Sequence, residues 1–320
     1  MTQAQILSLG SVNVDFQVHT DRWPEPGETL LGQDFLMIGG GKGANVAFLA
    51  CRLGVNARLL ARVGEDALAE EALRPLREVG VDLGATKHVA GEQTGVALIT
   101  VRPEGDKGII LAANANAAWT PTDAEEVATA VRDAPPGSVL VADLEVPASI
   151  VQRALETARQ HGLRAVLDPS PAGRLIPALY PAVDYLTPNP AEAEQLTNMP
   201  VRSVEDAFRA GEVLLERGMG AALMKLGAGG CVVVSAGMRE HLPAVPVRVV
   251  DQTGAGDAFA GALAVALLEG QQVNEAARFA VAAATLAVTR YGSQPSYPTR
   301  AELERWIAQG DQALDKGERR

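Results

Sequence analysis

Two aspartates bracket a glycine turn late in the chain: Asp251-Gln252-Thr253-Gly254-Ala255-Gly256-Asp257, which runs straight into the apolar stretch Ala258 to Leu268. Glycine lets a backbone approach a ligand closely. The first N–H groups of a helix lack internal partners and carry partial positive charge. A glycine turn opening a helix is therefore an anion site that needs no Lys or Arg. The N–H groups of Gly254, Ala255 and Gly256 are expected to hold a phosphoryl group. Asp257 is expected to take the proton from the hydroxyl that attacks it. The competing reading of Asp257 is a helix cap, worth about 1 kcal/mol.

A second glycine loop, Gly39-Gly40-Gly41-Lys42-Gly43-Ala44-Asn45, opens a helical pattern through Leu53. A P-loop needs Ser or Thr after Gly-Lys, and Gly43 stands there instead. Gly39, Gly41 and Ala44 can be set into a dinucleotide fingerprint, but Asn56 to Ala61 carries no acidic residue to hold a ribose. What remains is a loop whose Lys42 and Asn45 can reach a small polar ligand, or a tightly packed helix entry. Upstream, Asn13 and Asp15 share a parity on the alternating stretch Ser11 to Val18, so both point to one side of a strand. That face is either a polyol contact or a solvated surface.

A chain of 320 residues with 47% hydrophobic content can bury a large core. The formal net charge of −11 removes the basic footprint of a nucleic-acid or membrane-surface binder. Cys51 and Cys231 form no CxxC, which fits a reducing cytoplasm. The first residues show no signal-peptide pattern. The longest apolar runs fall short of the ~20 residues that span a bilayer.

The expected fold is α/β: a doubly wound, mostly parallel sheet with a small antiparallel β lid. Segments 1–11, 38–85 and 114–320 are assigned to the core, and 12–37 and 86–113 to the lid. A strand is expected over Thr29 to Met37, and a helix over Asp66 to Val79 that ends early or kinks at Pro75. From Thr120 onward, buried strands alternate with helices, the pattern of a parallel sheet. Ligands in such sheets bind beyond the carboxyl ends of the strands. That rule gathers Glu145, Asp168, Asn189 and Lys225 to Gly230 on one edge with the Asp251 turn. Asn189 and Glu192 are also spaced as a helix cap with its partner.

Taken together, Gly10-Ser11-Val12-Asn13-Val14-Asp15, Pro26-Gly27-Glu28-Thr29, Gly40 to Asn45, Asn189-Pro190-Ala191-Glu192 and Gly254-Ala255-Gly256-Asp257 resemble the PfkB carbohydrate kinases, and within them the members that phosphorylate ribose. The resemblance runs from about Ile6 to Pro298. It implies ATP-dependent phosphorylation of a small sugar hydroxyl, D-ribose to D-ribose 5-phosphate. The alternatives are another pentose, a ketohexose or a nucleoside, and beyond these a non-catalytic sugar-binding protein. It further implies that Asp257 is the base and that Gly254, Ala255 and Gly256 form the anion hole. Asn13, Asp15, Gly41, Lys42, Gly43, Asn45 and Glu145 would join Asp257 around the sugar. Asn189, Glu192, Lys225, Leu226, Gly227, Ala228, Gly229, Gly230 and Gly256 would hold ATP with Mg²⁺. Asp251, Thr253, Ala287, Arg290, Gly292 and Ser296 would hold a monovalent cation, K⁺. The lid would also clasp a homodimer. Gln252 and Ser293 depart from the residues usual at their positions, which bears on the cation more than on the reaction.

Overall fold

Short, mostly apolar strands and the helices that cover them dominate the computed structural model, which describes residues 3–227 and 229–315. Chain order begins β1 (Ile6–Leu9), β2 (Asn13–His19), β3 (Gln33–Gly40), α1 (Lys42–Arg52), β4 (Ala57–Gly64), α2 (Ala67–Glu78), β5 (Asp82–Val89), β6 (Gly95–Val101), β7 (Lys107–Ala112) and α3 (Pro121–Arg132). It continues β8 (Val139–Asp143), α4 (Ala148–Gln160), β9 (Arg164–Asp168), β10 (Tyr185–Leu186), α5 (Pro190–Thr197), α6 (Val204–Glu216) and β11 (Ala221–Lys225). A hairpin, β12 (Cys231–Ser235) and β13 (Met238–Leu242), precedes α7 (Ala255–Leu268), α8 (Val273–Ala287) and α9 (Arg300–Asp315).

The larger sheet has nine strands in the order β13-β12-β11-β10-β9-β8-β1-β4-β5. It is parallel from β5 to β11, and β12 and β13 join antiparallel at one edge. Because β1 and β8 are buried on both faces, their apolar runs do not alternate. Helix α7 is apolar all round and buried from Asp257 to Leu267, packed between α1 and α8. Small residues permit this approach: a Cβ on Gly261 would sit 3.3 Å from Leu49 Cδ2.

The smaller sheet runs β3-β2-β6-β7. Its antiparallel character holds within β2–β3 and β6–β7, while the seam between β2 and β6 is parallel. Strand β5 pairs with β4 up to Val89, in the larger sheet. Two expectations are corrected. The strand sought over Thr29 to Met37 begins only at Gln33 and continues to Gly40, because Thr29 to Gly32 pair with nothing regular. Helix α2 does not stop or break at Pro75. That residue lies in the last turn, where a missing N–H removes one bond, and Ala69, Ala72, Leu73 and Leu76 hold the apolar face.

Candidate active site

Asp257 stands at the third position of α7, yet it caps nothing: no side chain caps this helix. Its Oδ2 accepts a hydrogen bond from Asn45 Nδ2 at 2.7 Å, and its Oδ1 lies 3.4 Å from Lys42 Nζ. Asn45 is itself held by Gln294 Nε2, 3.1 Å from its Oδ1. The helix-cap reading of Asp257 is thereby set aside. Both carboxylate oxygens turn toward α1 and a shared cleft.

Gly254 adopts φ +75°, which only glycine takes freely. A Cβ there would lie 2.5 Å from the Tyr297 hydroxyl, which donates to Gly254 O at 3.0 Å. Among the described residues the N–H groups of Gly254, Gly256 and Asp257 have no partner, whereas Ala255 N–H donates to Gln252 O at 3.3 Å. The turn thus presents bare amides to the cleft, as required of an anion site.

The cleft has a volume of about 830 Å³ and lies at the carboxyl edge of the larger sheet, beneath the smaller one. Asn13, Asp15, Gly41, Lys42, Asn45, Glu145 and Asp257 line it together with Gly254, Ala255 and Gly256. So do Asn189, Glu192, Lys225, Leu226, Gly227, Gly229, Gly230 and Thr253. Gly43 does not line it: a Cβ there would strike the Gly10 backbone at 2.7 Å, so this glycine serves the packing of α1 on β1. Ala228 lies outside the described residues. Asn13 and Asp15 do share a face and are buried, which the strand parity anticipated.

The polar contacts form a chain. Asp168, at the end of β9, accepts from Lys225 Nζ at 2.7 Å and lies 3.4 Å from Lys42 Nζ. Burial pulls the Lys42 ammonium down, but Asp168, then Asp257, Glu145 and Glu192, hold its pKa well above the usual lysine value. Burial likewise pushes Asp168 up, yet Lys225 and Lys42 keep it below the usual carboxylate range. Asp15 makes no ion pair among the described residues, and the attraction of Lys107 offsets its burial only in part. Burial first, then Asp257 and Glu145, raise its pKa to about 7. Glu145 is raised by burial against the pull of Lys42. Ser11 Oγ ties it in place, donating to Glu145 Oε2 at 2.6 Å and accepting Lys42 N–H at 2.9 Å.

Asn189 and Glu192 are a true capping box for α5: Glu192 N–H donates to Asn189 Oδ1 at 2.9 Å, and Asn189 N–H to Glu192 Oε2 at 2.8 Å. Asp251 sits behind the amide turn, wholly buried. It accepts from Thr253 N–H, Gly292 N–H and Gln17 Nε2 at 2.8, 2.9 and 2.6 Å. Ala287 O is met by Arg290 N–H, and the Arg290 side chain leaves for Glu302. Ser296 Oγ donates to Ser293 O rather than approaching Asp251. Among the described residues the hydrogen bonds to Asp251 all come from neutral donors, and Thr253 Oγ1 and Gln17 Oε1 are buried without a hydrogen bond. A buried, uncompensated carboxylate beside orphaned oxygens fits a small monovalent cation.

Residue order sets Asp168 on the binding edge but gives little sign of Asn116, Gln17 or Tyr297. Asn116 locks Asn13, donating to its Oδ1 at 2.8 Å. Its only signal was a polar residue in an alanine run, whereas Asp168 was visible at a strand's carboxyl end.

A profile of the pfkB family carbohydrate kinases matches residues 3–300. Ribokinase of Haemophilus influenzae is 35% identical over 294 residues, 92% of this chain and 95% of the relative. Deoxyribokinase of Salmonella typhimurium is 32% identical over 304 residues, 95% of this chain and 98% of the relative. Among solved structures, Arabidopsis thaliana ribokinase complexed with ribose and ATP superposes with a TM-score of 0.83 at 31% identity, covering 96% of this chain and 99% of that one. A phosphotransferase acting on a sugar hydroxyl is the class that this fold and cleft define. The chain belongs to the pfkB family of carbohydrate kinases.

Proposed function

We propose that the protein transfers the terminal phosphoryl group of ATP to the O5 hydroxyl of D-ribose. The observation that carries this reading is Asp257, whose carboxylate faces the cleft at the mouth of a helix with unpartnered amides. Asn13, Asp15, Lys42, Asn45 and Glu145 would grip the ribose hydroxyls, and Asp257 would accept the O5 proton as the oxygen attacks. The amides of the Gly254–Gly256 turn would meet the charge on the phosphoryl oxygens, the positioning and neutralisation on which this reaction depends, and Lys225, paired with Asp168, would flank the nucleotide.

Gly229 and Gly230, both at positive φ, and the apolar wall of Val247, Val281, Ala284 and Val288 suit a nucleotide that approaches the backbone closely. Among the described residues no cluster of three or more His, Cys, Asp or Glu side chains has metal-binding geometry. Mg²⁺ takes few protein ligands beside phosphate oxygens, and Glu192, which lines the cleft, would help to hold it there. When bound, Mg²⁺ neutralises phosphate charge, and K⁺ at Asp251 compensates the buried carboxylate behind the anion hole.

The smaller sheet is read as a lid that excludes water on closing. Its outer face carries an exposed apolar row across the strands, with Met37 and Leu98 each paired to Phe16, and Ile110 paired to Leu98. A second copy of the chain would cover it. Among the described residues no helix is long and apolar enough to cross a membrane, and a cytoplasmic location accords with the two free cysteines. The name of the Salmonella relative keeps deoxyribose as the second reading. An ATP-coupled assay across ribose, deoxyribose, fructose and nucleosides, with and without K⁺, tests the proposal. It predicts the highest kcat/KM with ribose. A preference for a nucleoside would overturn the substrate.

A further inference from the structure

We propose that Lys107, carried on the smaller sheet, is a catalytic residue that contacts the phosphoryl group in transit. The inference rests on the kinase reading above and names a group which that reading does not use. Strand β7 alternates: Ile109 and Leu111 line the cleft, Ile110 is turned out and 72% exposed, and Lys107 shares the parity of the inward pair.

Lys42, Lys107 and Lys225 line the cleft. Lys42 is committed to Asp168 and Asp257, and Lys225 to Asp168. Among the described residues Lys107 alone of these lysines has no carboxylate partner. Its Nζ donates to a backbone oxygen, Gln252 O, at 3.3 Å. The same oxygen accepts the N–H of Ala255, the first residue of α7. The ammonium is thus moored at the lip of the amide turn, within the field of Asp257, Asp251 and Asp15.

This placement has a physical consequence. Drawing Lys42 or Lys225 onto a phosphate leaves a buried carboxylate less compensated, which is costly. Lys107 gives up only one long hydrogen bond to a carbonyl. Because it rides on the sheet over the cleft, its charge arrives as water leaves, when an ion contact gains most. In the reaction the sugar O–P bond forms and the bond from phosphorus to the bridging oxygen of ADP breaks. ADP leaves with that electron pair, and the hydroxyl proton passes to Asp257. Lys107 exchanges neither proton nor electrons; it donates hydrogen bonds to the phosphoryl oxygens.

The test compares the full-length wild type, Lys107→Met and Lys107→Arg in steady-state kinetics with ATP and ribose. Ribose affinity and melting temperature are measured alongside. Lys107→Met is expected to lower kcat about 10- to 100-fold, the range of a lost charge-assisted hydrogen bond. Ribose affinity should stay within about 2-fold and melting should not move, since a charge-assisted contact made only in transit leaves both untouched. Lys107→Arg should recover most of the rate. A Met variant as fast as wild type, or a loss that Arg does not rescue, overturns the role of Lys107 and leaves the kinase reading standing. A wild type that phosphorylates no sugar overturns that reading, and the role of Lys107 with it.

Discussion

The two halves of the cleft are built from different materials. On the side of β2 and α1, where the sugar is proposed to sit, the work is done by side chains that converge from distant segments and are almost wholly buried: Asn13, Asp15 and Asn45. On the side of β11 and β12, proposed for the nucleotide, the surface is backbone and apolar wall, with Gly229 and Gly230 at φ +89° and +91°. Its most conspicuous polar pair, Asn189 and Glu192, spends its hydrogen bonds on a helix end. The first half can discriminate by directed hydrogen bonds, which reject analogues that lack a partner group. The second recognises by shape. Discrimination has an electrostatic cost, because Asp15, Glu145 and Asp257 share one poorly solvated space and repel one another.

Asp15→Asn should sharpen this contrast most. Losing a charged acceptor is expected to lower kcat/KM for ribose by about 10- to 100-fold while leaving the KM for ATP nearly unchanged. Stability should move the other way. The folded chain keeps the Asp15 proton up to about pH 7, whereas an unfolded aspartate releases it near 3.8. Between those values the folded state binds the extra proton, so ionising Asp15 weakens the fold as pH rises from 4 to 7. Calorimetry above pH 7 should find the Asn variant more heat-stable than wild type, and kcat/KM for ribose in wild type should rise with pH through 7. A variant that melts lower there contradicts the repulsion.

Asp168→Asn probes whether the halves are separate at all. Asp168 joins Lys42 on the sugar side to Lys225 on the nucleotide side. Removing its charge should raise both KM values together and lower kcat, by about 10-fold for a lost charge-assisted pair. Movement of one KM alone would mean that the two lysines act independently. The smallest effect is expected at Asn189→Ala. Loss of this N-cap costs about 1 kcal/mol, or roughly 2 °C in melting temperature for a chain of this size, with ribose affinity unaltered. An intact melting temperature would show that the capping box is idle.

The same division explains what could be read from residue order. The nucleotide half was legible because turns and caps are local: Gly254 to Asp257, Asn189 with Glu192, and the glycines after β11 each declare themselves within a few residues. Parity also placed Asn13 with Asp15. Partnerships across long separations left no trace. Gln17 meets Asp251, Asn116 fixes Asn13, and Tyr297 holds Gly254 only once the sheets are assembled. Lys107 falls in the lid segment by residue order, but only the assembled sheet sets it among the residues lining the cleft. Pro75 misled because a proline's effect depends on its place in the helix, and the last turn tolerates it.

Where the halves meet stands Asp257, and the most direct test is the turnover of Asp257→Asn at saturating ATP and ribose, with ribose binding measured on the same preparation. The amide keeps the shape of the side chain but cannot accept the proton. The account predicts a fall in kcat of at least about 10²-fold, as for a lost general base, with ribose still bound. A variant that turns over within a few-fold of wild type would contradict it.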